Sequence, residues 1–309
     1  MKIIYVQVFF RHGFLTYSAL HWLIDSYHHS MIKNTPPDSN DPIEALEQKG
    51  FDVQFISHAK SILYGEFHEL LIELGDVLNK LELPITEIIG SGGGETKFTQ
   101  RLRRTLAAKG WKKHNFEIGR TIDGVLREST SHEVDHVKRK ENVGAIACEI
   151  EWNNKDPFFD RDLENFKRLH AEGAISVGII ITRGLSLQDS MRDSVNRFAQ
   201  DRNIQNYSDL EANGYTPTPK QKANVLKRIN REKSPIPFQT AWTENFVANK
   251  YGQATTHWSK LKDRLDRGVG NPCPLLLIGM PKSIVTFDTA QVETLEDGED
   301  MASMPTVAV

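Results

Sequence analysis

Apolar residues recur along this chain with two different periods. Near 15–27 and 56–81 they fall three and four positions apart, the spacing of amphipathic helices, with a turn-rich run at 34–42 between them. A short apolar stretch at 3–10, broken by Gln7 and closed by Arg11 and His12, reads as an opening strand. Ser91 and three glycines lead into a predicted helix at 95–109, with Phe98, Leu102 and Leu106 on one face, basic residues on the other, and Gly110 in the C-terminal capping position. Strand-like segments follow at about 116–126, 133–138 and 143–151, then a helix at 158–170 and a β-branched run at 175–182 that reads as a buried strand. Helix-like stretches at 188–202, 219–233 and 256–267 and a strand at 275–279 complete the pattern. The order strand, strand, helix, strand predicts an α/β core with a mixed central sheet flanked by helices. We divide the chain into a mainly helical region at 1–90, a core at 91–288 and an acidic tail at 289–309, expected to be disordered.

A length of 309 residues with 39% hydrophobic content allows a sizeable core. No run approaches the ~18 apolar residues of a membrane helix, so no membrane association is expected. The two cysteines, Cys148 and Cys273, are too few for a disulfide framework or a Cys-type zinc site, and fit a reducing cytoplasm. A net charge of −3 does not mark a nucleic-acid binder, but the charge is uneven. Lys97, Arg101, Arg103, Arg104, Lys109, Lys112 and Lys113 form one basic cluster, and Lys220, Lys222, Lys227, Arg228, Arg231 and Lys233 another. Either is a phosphate footprint or an ordinary solvated face.

Candidate chemistry concentrates around Asp135, Glu149 and Glu151. Side chains alternate along a strand, so Glu149 and Glu151 share a face while Ile146, Cys148 and Ile150 take the other. Acidic residues avoid the dry side of a sheet unless paired or bound to a cation, so a buried strand carrying two of them asks for Mg2+ or a similar hard ion. The competing reading is a solvated sheet face. Other motifs carry less. The Ser91 to Glu95 run lacks the ending of a P-loop, His21, His28 and His29 complete no zinc spacing, and the stripe Phe158, Phe159, Leu163, Phe166 and Leu169 is the core face of a helix.

Asp135, with Glu149 fourteen positions on and Glu151 two beyond that, followed by Trp152, Asn153 and Asn154 and a helix, resembles the core of PD-(D/E)xK nucleases. Within that superfamily, Glu133 to Asp135, Glu149 to Asn154 and Ile179 to Gly184 are similar to BglII-type restriction endonucleases, with BamHI a more distant relative. The resemblance implies that Asp135 and Glu149 hold the catalytic metal, Mg2+ with Mn2+ able to substitute. Glu151 takes the place where many of these nucleases have lysine, BglII-type enzymes glutamine and BamHI glutamate. There it would bind metal or accept a proton from the attacking water. Glu95 is a candidate upstream acid, against an ordinary glutamate at a helix N-terminus, with His114 and Asn115 as a weaker alternative. Asn153 and Asn154 stand where BglII-type enzymes place base-contacting side chains, against a role in capping the following helix. Lys155 and Arg183 are candidates for phosphate or guanine contacts, and Gly184 for a sharp turn at the strand end.

The implied protein is a prokaryotic, cytoplasmic type II restriction endonuclease. It would be a homodimer cutting double-stranded DNA at a short palindrome, a GATC-containing site being one candidate, to leave 5′-phosphates and four-base 5′ overhangs, with a methyltransferase as functional partner. The alternatives are a repair or structure-selective nuclease and a DNA-binding protein with an inert metal site.

Overall fold

The computed structural model describes residues 41–90, 95–231 and 234–287. The predicted strand at 3–10, the helix at 15–27, the histidines at 21, 28 and 29, the glycine run at 92–94 and the tail from 289 lie outside the described residues.

The chain opens with α1 (Pro42–Gln48), β1 (Asp52–Ile56), α2 (Ala59–Glu66), α3 (His68–Asn79), β2 (Leu83–Pro84), α4 (Ile85–Ile89) and α5 (Lys97–Ala108). Then come β3 (Lys112–Ile122), β4 (Val125–Lys140), β5 (Gly144–Glu151), α6 (Phe158–Ala171) and β6 (Val177–Arg183). The remainder is α7 (Leu185–Asp201), α8 (Tyr207–Ala212), α9 (Pro219–Ile229), α10 (Phe238–Lys250), α11 (Trp258–Asp266), β7 (Leu275–Met280) and β8 (Val285–Thr286).

Six strands form one mixed sheet in the order β1-β7-β6-β5-β4-β3. The pairs β5–β6 and β6–β7 are parallel, while β4–β5, β3–β4 and β1–β7 are antiparallel. Helix α6 is the crossover between the parallel β5 and β6, and Phe159, Leu163, Phe166 and Leu169 pack with Ala145, Ala147, Ile180 and Leu277 on one face of the sheet. Gly178 is needed there, because a side chain at that position would strike the Phe166 ring. The opposite face carries Ile146, Cys148, Ile179 and Ile181, covered by Phe98 and Leu102 of α5 and by residues of α3, α7 and α10. Both cysteines are buried and unpaired with each other.

The structure departs from the sequence reading in two places. The helical region predicted at 56–81 is preceded by β1, from which positive φ at Ser57 and His58 separates it, and is split at Phe67 (φ −121°) into α2 and α3. That edge strand pairs with β7 more than two hundred residues later, so the sheet draws a strand from before residue 90. The segments near 116–126 and 133–138 belong to one long β3–β4 hairpin, turned at Asp123 (φ 51°) and Gly124 (φ 76°). An Asp-Gly pair suits that two-residue turn, since both central residues need positive φ. Among the described residues no helix is long and apolar enough to cross a membrane.

Candidate active site

The acidic strands meet as the two-residue period requires. In the antiparallel β4–β5 register His136 faces Cys148 and Val137 faces Ala147, which sets Asp135 beside Glu149. The backbone N–H of Asp135 donates to Glu149 Oε1 at 3.4 Å. Asp135 itself is half exposed within β4, where Lys113 Nζ lies 3.4 Å from its Oδ1 and 2.8 Å from Glu133 Oε1.

Glu149 and Glu151 turn toward α6 and are 6% and 3% exposed, so the solvated-face reading does not hold. Burial pushes the Glu149 carboxyl well above the usual carboxylate range, and the neighbouring Asp162 and Asp135 add to the rise. Burial and Asp162 raise Glu151 to about 8. Glu151 Oε2 accepts from Asn154 Nδ2 at 2.9 Å, and its Oε1 lies 3.8 Å from an Arg161 guanidinium nitrogen. Asp162, from α6, completes this group. Sequence reasoning passed over it, although a carboxylate on the apolar stripe of Phe159, Leu163 and Phe166 is a legible signal.

A cleft of about 640 Å³ opens on the α5 side, lined by Glu95, Arg103, Asp135, His136, Asn153 and Asn154 among others. Glu95 precedes the Thr96 cap of α5, eight residues before Arg103, whose Nε donates to Glu95 Oε1 at 3.4 Å. His136 donates from Nδ1 to the Cys148 carbonyl at 3.3 Å, while its buried Nε2 has no partner. Burial lowers its pKa, which keeps the ring neutral. Asn153 and Asn154 do not cap α6. Pro157 holds the cap position without a side-chain bond, and the Asn154 amide turns back to Glu151. Lys155 is exposed, in a β-bridge with Thr255.

Arg183 corrects the sequence reading. It is 0% exposed and donates to the carbonyls of Trp152 (2.8 Å) and Thr256 (2.6 Å) and to Thr255 Oγ1 (2.6 Å). It is therefore not available to DNA; it ties the end of β6 to the segment carrying Asn153 and Asn154 and to the loop before α11. Gly184 has an ordinary φ of −74° and serves close approach instead of a sharp turn. A side chain there would collide with Asp52, whose Oδ2 accepts from Leu185 N–H at 2.8 Å at the start of α7.

The basic clusters divide in space. Arg101 binds Glu87 and the Glu82 carbonyl, whereas Arg103 and Lys113 face the cleft. In the second cluster Lys222 pairs with Glu211 and Arg228 with Glu244, while Lys233 lies outside the described residues.

Residues 51–280, spanning the sheet, the acidic hairpin and the cleft, match the family model described as restriction endonuclease BglII/BglIII. The chain belongs to the BglII/BglIII restriction endonuclease family. It is thus a nuclease of an α/β fold that acts on double-stranded DNA. No curated protein matches the chain. Endonucleases of this family generally use a divalent metal, and the oxygen donors here fit one: buried carboxylates crowd together with Asp162 Oδ2 left unpartnered. Among the described residues no three His, Cys, Asp or Glu side chains converge into a ready-made cage. That suits an ion that keeps several waters and takes remaining ligands from phosphate.

Proposed function

We propose that this endonuclease is a type II, Mg2+-dependent restriction enzyme that hydrolyses both strands of duplex DNA at a short palindromic site. The observation that carries the reading is the contact between Asp135 N–H and Glu149 Oε1 at 3.4 Å, where Asp135 in turn lines a cleft together with Asn153 and Asn154. Asp135 and Glu149 would hold the cation. Mg2+, or Mn2+ in its place, supplies charge neutralisation at the phosphoryl oxygens and a more acidic bound water. Glu151, kept largely protonated at neutral pH by its surroundings, is placed to orient or accept a proton from the attacking water once ionised. Glu95 contributes a further carboxylate from across the cleft. Arg103 and Lys113 are cations on the cleft wall that suit a phosphate. Asn153, Asn154 and the exposed Lys155 follow the strand of Glu149 and Glu151 directly, so recognition and cutting share one segment.

Two-fold symmetric DNA favours a two-fold symmetric protein, so we assign a homodimer with one strand cut per subunit. A GATC-containing site, 5′-phosphate ends, a cognate methyltransferase and a prokaryotic cytoplasm follow from the family likeness. The N-terminal region to residue 90 serves as support for the core in this reading.

The test is incubation of the purified protein with unmethylated phage DNA in Mg2+, with EDTA in parallel, followed by sequencing of fragment ends. Discrete Mg2+-dependent fragments sharing one palindrome are expected. Random nicking would instead favour a repair nuclease, and shifted but intact DNA an inert binder.

A further inference from the structure

Asp162 has surroundings that the motif of Asp135, Glu149 and Glu151 does not explain. It is 2% exposed and lies on the face of α6 that packs Phe159, Leu163 and Phe166 against the sheet. A carboxylate in such a position is costly unless its oxygens are satisfied. Oδ1 is satisfied, by Arg161 Nε at 2.8 Å and a second guanidinium nitrogen at 2.8 Å. Oδ2 is buried without a partner.

The carboxyl of Glu151 is its neighbour: one Arg161 guanidinium nitrogen lies 2.8 Å from Asp162 Oδ1 and 3.8 Å from Glu151 Oε1. Two carboxyl groups that meet in a dry space need a proton or a cation between them. The unpartnered Oδ2 suits a cation, because Arg161 engages Oδ1 and leaves Oδ2 as an open oxygen donor. Glu149, Glu151 and Asp162 are buried together with Arg161 as the nearby positive group, and Lys113 is engaged with Glu133 and Asp135 on the other side of Glu149. Asp162 is also the largest single charge acting on both Glu149 and Glu151.

We propose that Asp162 is a further carboxylate of the divalent-cation site, meeting Glu151 on the α6 side of β5 and supplying a ligand oxygen from outside the strand hairpin. This rests on the nuclease reading above. All the donors are hard oxygens with no sulfur and no imidazole among them, so the site takes Mg2+, Mn2+ or Ca2+ in preference to zinc. Arg161 then acts as the counter-charge while the ion is absent, held on the exposed side of the pair by Asp162.

The probe is Mn2+, with free ion followed by electron paramagnetic resonance on the full chain, and melting temperature recorded with and without the metal. Asp162→Asn is expected to weaken Mn2+ binding by roughly 10- to 100-fold, the range for loss of a supporting ligand. Its metal-free melting temperature should equal or exceed that of the wild type, because one crowded carboxylate is gone, and the rise on adding Mn2+ should shrink. Glu151→Gln should give the same loss, and the double variant little more, since both remove one shared contact. Asp162→Asn that binds Mn2+ as the wild type does, or losses that simply add, would overturn the proposal and leave the pair sharing a proton. A wild type that binds Mn2+ and cuts DNA beside such a variant would sink this proposal alone, whereas a wild type that neither binds nor cuts would sink the nuclease reading with it.

Discussion

Asn154 donates through Nδ2 to Glu151 Oε2 at 2.9 Å, so the side chain proposed to read a base also holds the carboxylate proposed to act at the scissile phosphate. Engagement of the amide by adenine would release that oxygen. Recognition is then linked to the protonation and ligation of Glu151 through one hydrogen bond.

Asn154→Ala is therefore expected to lose both selectivity and rate. A bidentate amide–adenine pair is worth roughly 1–3 kcal/mol, or about 5- to 150-fold in discrimination at one base pair. Asn154→Asp should be worse, because it sets another carboxylate against Glu151. Cleavage rates on the cognate duplex and its single-base variants give the answer, and an Ala variant as fast and as selective as the wild type would remove Asn154 from the site.

Asp135→Asn and Glu149→Gln should each abolish cleavage while duplex binding persists. Loss of metal ligation removes the nucleophile and the charge neutralisation together, with no effect on the basic and amide groups of the cleft. Gel shift in Ca2+ beside cleavage in Mg2+ separates the two properties. Full activity in either variant would sink the assignment.

Arg183→Lys should destabilise the fold without altering the salt dependence of DNA binding. The guanidinium spans the Trp152 and Thr256 carbonyls and Thr255 Oγ1, a fork that an ammonium cannot reproduce. Leaving buried acceptors unmatched costs about 1–3 kcal/mol each. Melting temperature should drop by several degrees, on the order of 2–4 °C per kcal/mol. A slope of log affinity against log salt reduced by about one, at unchanged stability, would instead mean a phosphate contact.

His257 gives a pH-dependent term in stability. Burial, with Arg183 and Lys260 nearby, lowers its pKa from 6.5 to about 4. The unfolded chain therefore binds more protons than the folded one between these values, and stability contributed by the neutral ring is lost as pH falls from about 6.5 to 4. His257→Phe should flatten melting temperature against pH in that window. An unchanged slope would show that the ring is already protonated or exposed in the fold.

Local pattern alone determined the elements whose partners are near in sequence. The β4–β5 pairing, the shared face of Glu149 and Glu151, the apolar stripe of α6 and the basic face of α5 all follow from periods of two and 3.6 residues, which depend only on backbone geometry. The meeting of Asp135 with Glu149 was legible for the same reason. Tertiary structure decided what those periods leave open. Periodicity says that two side chains share a face but not what covers it, so the turning of Glu149 and Glu151 toward α6, and the presence of Asp162 there, emerged only with packing. The same holds for β1, whose partner β7 is remote in sequence. Arg183 is the sharpest case: its residue type and its place after a buried strand suit DNA contact or burial equally. The choice fell to the carbonyls of two distant segments, brought within reach of one guanidinium only when the chain had folded.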